Sequence, residues 1–492
     1  MTRDAGDAEP RIRLRVLCTR ILALGICGGA VASGALATAA QEGCAAKALP
    51  PSSQPPILVG VSLGLTKGLA AFARHLQESV RVAEGEINAS GGVLGRRVVF
   101  DVQDDESDED RGVVERVAND FVARGAVAVI GPLGSQQVVK TQAIYAAGRV
   151  LQISPSATST DLTTIQPSGD RWLFRTTPAD DFQGAAVLRL AQRTPRGLGD
   201  GGAPPVVDGG PSATCARLAI VNVDNSYGKS MADVIEKNFP KRSGQPILIR
   251  QTISVNLVAS YAEVVAKVLK LAPDCVALIM YDDTAAPLVR EFKAHPAYAS
   301  LEKNGFFFIG TDGVYTEGFL TGGRQNPADP ASPNVAQGVF GTNPDTQPGT
   351  KEYNEFRTLY AGYAPLGRKP DNTPNDAPSF AANIFDAAIL IALAIQRAGT
   401  ASDHGAVREA LIEVANPPGR PYTPAQLGEA LLAVRQGDDI DYKGASGAVD
   451  LEPNGNVKSG FIVWEAFRDT GKKVDYRTVG RFTLDELVEQ LK

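Results

Sequence analysis

Residues 131–160 read GPLGSQQVVKTQAIYAAGRVLQISPSATST. A short apolar run, Val127 to Ile130, ends at Gly131-Pro132, as a buried parallel strand does. Gly134-Ser135 opens an amphipathic helix to about Ala147. A second buried run, Val150 to Ile153, ends in Ser154-Pro155-Ser156-Ala157-Thr158-Ser159. Two hydroxyl-rich turns therefore stand at the carboxyl ends of two parallel strands, where open α/β sheets bind ligands. The helix start after Ser135 offers unpaired backbone N–H groups and a positive dipole end, suited to a carboxylate. Taken singly, Ser135 is equally an ordinary helix cap and SPSATS an ordinary turn. Other residues must decide.

The alternation of strand and helix continues outward. Ile57 to Leu63 is an apolar strand. The helix after it runs to about Ala89, with Phe72, Leu76, Val80, Ala83 and Ile87 on one face, and Gly91-Gly92 stops it. Val98 to Val102 is a second strand, and a helix from Gly112 to Ala123 leads into the opening stretch. Between them Asp104 to Asp110 is acidic. It fails as a calcium loop because Glu109 stands where glycine is required, and it reads as a solvated loop whose carboxylates favour the next helix start.

The same alternation restarts at Leu218, with strands LAIVNV, PILIRQTI, CVALIMY and GFFFIG. The fold class is α/β, with two doubly wound parallel-sheet lobes in series. Pro195 to Thr214 and Gly322 to Gly349 are rich in Gly and Pro and read as irregular inserts, the second broken by a strand at Gly338 to Thr342. Helices follow at about Lys351 to Gly362, at Phe380 to Ala398 with Phe380, Ile384, Ala388, Ile391 and Ile395 on one face, and at Ala406 to Ala415. Gly444 to Glu465 reads as a strand, a Pro-Asn-Gly turn and a strand. Leu484 to Leu491 is a final helix.

The 492 residues leave room for two or three domains. A formal net charge of -6 without a basic patch argues against nucleic-acid binding. Arg11, Arg13, Arg15 and Arg20 precede an apolar, small-residue run from Ile21 to Ala40, which reads as a cleaved export leader. A retained membrane anchor is the alternative, since the run is just long enough to span. Nothing later reads as apolar enough to cross a bilayer. Cys44 follows the leader and precedes a Pro/Ser tether, which makes it a candidate for lipidation, although Gln41 stands where a lipobox has an aliphatic residue. With Cys18 and Cys27 in the leader, Cys215 and Cys275 remain as an even pair in an oxidising compartment. Each lies at or just before a strand of the second lobe, and a disulfide between them is expected.

Enzyme and cofactor signals fail one by one. Gly228-Lys229-Ser230 resembles the end of a phosphate-binding loop, but Val223 stands where its first glycine belongs. No G-x-G-x-x-G follows a strand, so a nicotinamide cofactor has no support. His75, His295 and His404 are far apart and lack partners at ligand spacing, so no metal site is expected. No G-x-S-x-G elbow is present. The chain reads as a binding protein without catalysis or cofactor.

Taken in order, ILVGVSLGLTKG, EINASGGVLGR, VQDDESD, AVIGPLGS, ISPSAT, DNSYGKS, ALIMYDD, IGTDGVY and GASGAVDLEPNG resemble the type I periplasmic binding proteins. The closest likeness is to the branched-chain amino-acid (Leu/Ile/Val) binding proteins of ABC importers. The resemblance implies a leader (1–44), a tether (45–56), one lobe from 57–178 and 346–446, and another from 179–345 and 447–492. Three crossover segments would form a hinge, with the ligand shut in the cleft. It also implies a ligand set. Ser135 and Thr158 match hydroxyls that hold the amino acid's carboxylate, with Ala157 supplying a backbone contact. Asp312 falls where the family has an acidic residue for the ammonium group, one methylene shorter than the glutamate of the closest relatives. Tyr281 and Tyr227 match tyrosines of the second lobe, Phe72 matches an aromatic residue beside the ligand side chain, and Phe380 falls near a second aromatic position. Without the family, a zwitterion still needs an anion site and a cation site, each desolvated and paired. The expected protein is a monomeric, exported, periplasmic receptor that delivers an amino acid or similar zwitterion to an ABC permease. A sensory protein of the same fold, or a receptor for an amide, urea or an aromatic acid, stays open.

Overall fold

The computed structural model describes residues 54–192, 214–363, 377–469 and 473–492. The leader, Cys44, most of the tether and nearly all of the Pro195 to Thr214 insert lie outside the described residues.

Five short apolar runs build the first sheet: β1 (Ile57–Leu63), β2 (Val98–Asp104), β3 (Ala128–Ile130), β4 (Leu151–Ser154) and β5 (Leu173–Arg175). They lie in the order β2-β1-β3-β4-β5, every pair parallel. The second lobe repeats the plan with β6 (Leu218–Val223), β7 (Ile249–Ile253), β8 (Cys275–Ile279), β9 (Phe307–Gly310) and β10 (Phe340–Pro344). A small sheet of β11 (Arg420–Tyr422), β12 (Ile440–Gly444) and β13 (Gly447–Ala448) stands apart. Then β14 (Phe461–Arg468) and β15 (Val474–Phe482) complete the second sheet, in the order β15-β14-β10-β9-β8-β6-β7, with β14 antiparallel to both neighbours. In each lobe the strand order reverses beside the first strand, so a crevice opens at the carboxyl ends of β1 and β3 and of β6 and β8.

The first core surrounds the helix Ala381–Ala398, whose residues from Ala381 to Ile395 are all buried. A helix apolar all round belongs inside a protein or a membrane. This one is long and apolar enough to cross a bilayer, which corrects the expectation that no later segment is, but 89% of it is enclosed in the lobe.

Two further expectations change. The acidic run is not simply solvated: Asp105 and Asp108 are buried. Asp105 accepts from the Ser62 hydroxyl at 2.6 Å and from Ser107 N–H, while Asp108 accepts from the Arg111 and Val113 N–H groups. Local side-chain-to-backbone bonds fold the carboxylates inward. Nor is Gly444 to Glu465 one hairpin. Val449, Leu451 and Val457 still pack in the first core, and only from Phe461 does the chain join the second. The turn at Gly455 is bolted to β5, where Arg175 N–H donates to the Gly455 carbonyl at 3.0 Å. The first lobe's packing thus runs past residue 446, where the resemblance placed its end.

Cys215 and Cys275 form the expected disulfide, with Cα atoms 5.6 Å apart. The geometry follows from pairing: Leu218 on β6 lies opposite Cys275 on β8.

Candidate ligand-binding site

A cavity lies between the lobes. Phe72, Ser135, Thr158, Tyr227, Tyr281, Asp312 and Phe380 all line it. Ala157 does not: its carbonyl accepts from Arg175 and its side chain packs with Val138, Leu162 and Leu173. Leu69, Leu133, Gly134, Ser156 and Gly313 complete the lining. Nearly every contributor follows the carboxyl end of a strand, on both sides of the two crevices.

In the first lobe, β3 is followed by Gly131, whose φ of +99° and close approach to the Ser62 carbonyl admit no side chain. The chain then turns into the helix Ser135–Ala147. Gly134 occupies the cap position and supplies no side-chain acceptor, so the first-turn N–H groups stay open to a ligand. Ser135 is the first helical residue rather than the cap. Its Oγ accepts from Ser159 N–H at 3.1 Å, which leaves its own proton to donate. The Ser156 hydroxyl donates to the Leu133 carbonyl at 2.9 Å and ties the two turns together. Behind them Arg175, fully buried, donates to the Ala157 and Ser159 carbonyls, to Thr163 and to Asn456. Burial pushes its guanidinium down to about 10. Sequence reading missed this clamp. A lone arginine at a strand end looks like a surface residue until the turn it holds is seen.

The second lobe supplies the opposite character. Asp312 follows β9 and is 4% exposed. Tyr227 donates to its Oδ1 at 2.8 Å, and no ion pair reaches it among the described residues. Burial pushes its carboxyl up to about 6, against the hydrogen bonds from Tyr227, the local backbone and Gln183. The Tyr227 and Tyr281 rings stack, with centroids 5.5 Å apart. Across the cavity Phe72 and Phe380 stand 5.9 Å apart. Phe380 caps the buried helix Ala381–Ala398 at φ +65°, a left-handed conformation that a bulky side chain rarely adopts. Such outliers cluster at ligand clamps.

A second carboxylate, absent from the sequence reading, lies close behind. Asp180 is completely buried, its N–H donates to the Thr158 carbonyl at 2.8 Å, and its Oδ2 accepts from Ser230 at 2.9 Å. Its Oδ1 has no hydrogen-bond partner among the described residues. Burial, then the charge of Asp312, holds it well above the usual carboxylate range, against the Thr158 and Ser230 hydroxyls and Arg175. Two carboxylates in one desolvated region do not both ionise. The charge of Asp312 therefore disfavours ionisation of Asp180. The only sequence signal was its place at the start of a helix, where aspartate is commonplace.

Residues 56–428 match the family of periplasmic binding proteins. A Leu/Ile/Val-binding protein of Rhizobium johnstonii is 26% identical over 367 residues, covering 75% of this chain and 86% of its own length. Among solved structures, a branched-chain amino acid transporter substrate-binding protein from Streptococcus pneumoniae, in complex with isoleucine, superposes with a TM-score of 0.63 at 18% identity. It covers 86% of this chain and 99% of its own. A solute-binding protein of an ABC transporter from R. palustris, in complex with 4-hydroxybenzoate, reaches a TM-score of 0.64 at 15% identity, over 87% of this chain and 97% of its own. At these identities the two structures speak for the fold alone. With the family match spanning most of the two lobes and the cleft residues converging on one cavity, the chain belongs to the periplasmic binding protein family.

Proposed function

We propose that this protein captures an α-amino acid, branched-chain or of similar size, between its lobes and delivers it to an ABC permease. The observation that carries the reading is Asp312: a buried carboxylate facing the cavity with no cation to balance it among the described residues. Leaving such a charge unpaired costs several kcal/mol, on the order of 3–5, so the partner comes with the ligand. An ammonium group meets that need. Opposite it, the hydroxyls of Ser135 and Thr158 and the open helix start take the carboxylate. Leu69, Leu133, Phe72 and Phe380 wall an apolar side chain. Closure of the lobes about the three crossings supplies contacts from both sides, and the family implies export to the periplasm.

The aromatic lining supports a second reading, an aromatic acid packed against these rings; the R. palustris neighbour was solved in complex with 4-hydroxybenzoate. A thermal-shift screen of the purified mature protein separates the two, because a bound ligand stabilises by mass action. L-leucine is expected to raise Tm, and 4-methylpentanoate, which lacks only the amino group, to do so far less. A rise with 4-hydroxybenzoate and none with any amino acid overturns the first reading.

A further inference from the structure

The mouth of the cleft is bridged by two residues that do not line the cavity. Asn225 caps the helix Ser226–Ser243 of the second lobe by accepting from Gly228 N–H at 3.0 Å. Its Nδ2 lies 3.0 Å from Glu109 Oε1 of the first lobe and 3.3 Å from the Tyr281 hydroxyl. Ser226 N–H donates to Gln136 Oε1 at 3.1 Å, and Ser226 Oγ lies 2.9 Å from Ser159 Oγ and 3.0 Å from Asp161 Oδ2. A hydroxyl has one proton. Ser226 Oγ therefore donates to Ser159 Oγ or to the Asp161 carboxylate, two acceptors on the first lobe within reach of the one proton. Four side chains of the first lobe, Glu109, Gln136, Ser159 and Asp161, thus meet one dipeptide of the second.

Two of these bonds lead directly to the cavity. Ser159, which holds Ser226 by its hydroxyl, gives its N–H to Ser135 Oγ and so fixes the direction of the Ser135 proton. Asn225 holds the hydroxyl of Tyr281, which lines the cavity. Contacts across the mouth form only when the lobes are closed, whereas Ser159 and Ser135 belong to one lobe and stay together. The mouth contacts are therefore the part of the network that closure adds.

We propose that Asn225 and Ser226 form a closure latch: positioning residues that touch no ligand, join the lobes through Ser159, Asp161, Gln136 and Glu109, and set how long a bound carboxylate is retained. By linkage, whatever strengthens the latch strengthens ligand binding by the same factor. Retention rather than capture is the quantity affected, because the ligand enters before the latch forms. The inference rests on reading the cavity as the ligand site.

The test compares wild type, Ser226→Ala, Ser226→Thr, Asp161→Ala and the double variant Ser226→Ala/Asp161→Ala by stopped-flow association and dissociation. The probes are L-leucine and 4-hydroxybenzoate. For whichever binds wild type, Ser226→Ala is expected to release the probe about five- to ten-fold faster, the effect of one hydrogen bond. Its association rate and ligand-free Tm stay at wild-type values, and Ser226→Thr, which keeps the hydroxyl, largely restores retention. Asp161→Ala reproduces the loss, and the double variant is no worse than about two-fold beyond the weaker single, because the two residues act through one contact. Wild-type binding with an unchanged Ser226→Ala dissociation rate overturns the latch alone, as does a ligand-free Tm that falls along with retention. Binding of neither probe by wild type overturns the ligand reading itself and this inference with it.

Discussion

The two halves of the cavity are built from the same topology and opposite chemistry. The first lobe meets the cavity with donors whose acceptor atoms are already occupied: Ser135 Oγ takes the Ser159 N–H, and Arg175 pins the turn from behind. The second lobe meets it with Asp312, which no described cation balances, and with two stacked phenols. The order of the five parallel strands is the same in both, so the contrast beside them resides in side chains at the strand ends. The donor half is finished before any ligand arrives. The acceptor half carries a desolvated charge until a cation enters, and that is where specificity is expected to concentrate.

The contrast is broken most severely at Asp312. Asp312→Asn is expected to weaken L-leucine binding by about 2–5 kcal/mol, roughly 30-fold or more, because an ammonium is then buried without a counter-charge. Calorimetry with L-leucine and 4-methylpentanoate checks it: wild type should prefer the amino acid strongly and the variant should lose most of that preference. Equal losses for both compounds would show that Asp312 holds the lobe together rather than the ligand.

A smaller effect is expected on the donor side. Ser135→Ala and Thr158→Ala should each cost roughly 1.5–3 kcal/mol of amino-acid affinity, the value of a hydrogen bond to a charged group. Both variants should stay folded, since the two residues stand in the turns beyond β3 and β4 rather than in the apolar core, although Ser135→Ala also removes the acceptor of the Ser159 N–H and lowers Tm somewhat. Unchanged affinity in both variants would reduce these turns to structural elements and leave the second lobe to bind alone.

The smallest expected effect is one of pH, and its sign distinguishes the two ligand classes. The Asp312 carboxyl is pushed up to about 6 in the ligand-free cavity, chiefly by burial. An ammonium ligand binds the ionised form. Affinity is then full above about pH 6 and falls as pH drops below it, by up to tenfold per unit, about 1.4 kcal/mol. Asp180 is likewise raised well above the usual carboxylate range, chiefly by burial. For a simple carboxylic acid the order reverses, because protonation of Asp312 removes a repulsion and binding improves as pH falls from 7 toward 5. Titration of wild type at pH 7.5, 6 and 5 should give a slope that Asp312→Asn abolishes; a slope that persists in the variant assigns the titration elsewhere.

Much of this architecture was written locally. β1, β3 and β4 are short apolar runs ending in turn residues, and period and punctuation suffice to place such strands. The residues lining the cavity sit at strand ends, which are legible once the strands are. Less visible were side chains whose meaning depends on a distant neighbour. Arg175 has its partners at Ala157, Ser159, Thr163 and Asn456, the last 281 residues away. The Pro-Asn-Gly turn looked like a hairpin because turn chemistry is local, and only its packing against β5 shows that the strands beside it belong to different sheets.

The sequence by itself determined the alternation, the two lobes, the cysteine pair and the polar and aromatic residues at the cavity, because each follows from periodicity, turn chemistry, an even count or an ordered set of motifs. The tertiary structure alone decided that Asp312 stands without a counter-ion among the described residues, that Asp180 is buried behind it, that the Ala157 carbonyl faces Arg175 rather than the cavity, and that Asn225 and Ser226 reach across to the other lobe. Those facts depend on desolvation and on pairs of atoms far apart in the chain. Burial and long-range pairing are properties of the assembled packing, and no local stretch of sequence contains them.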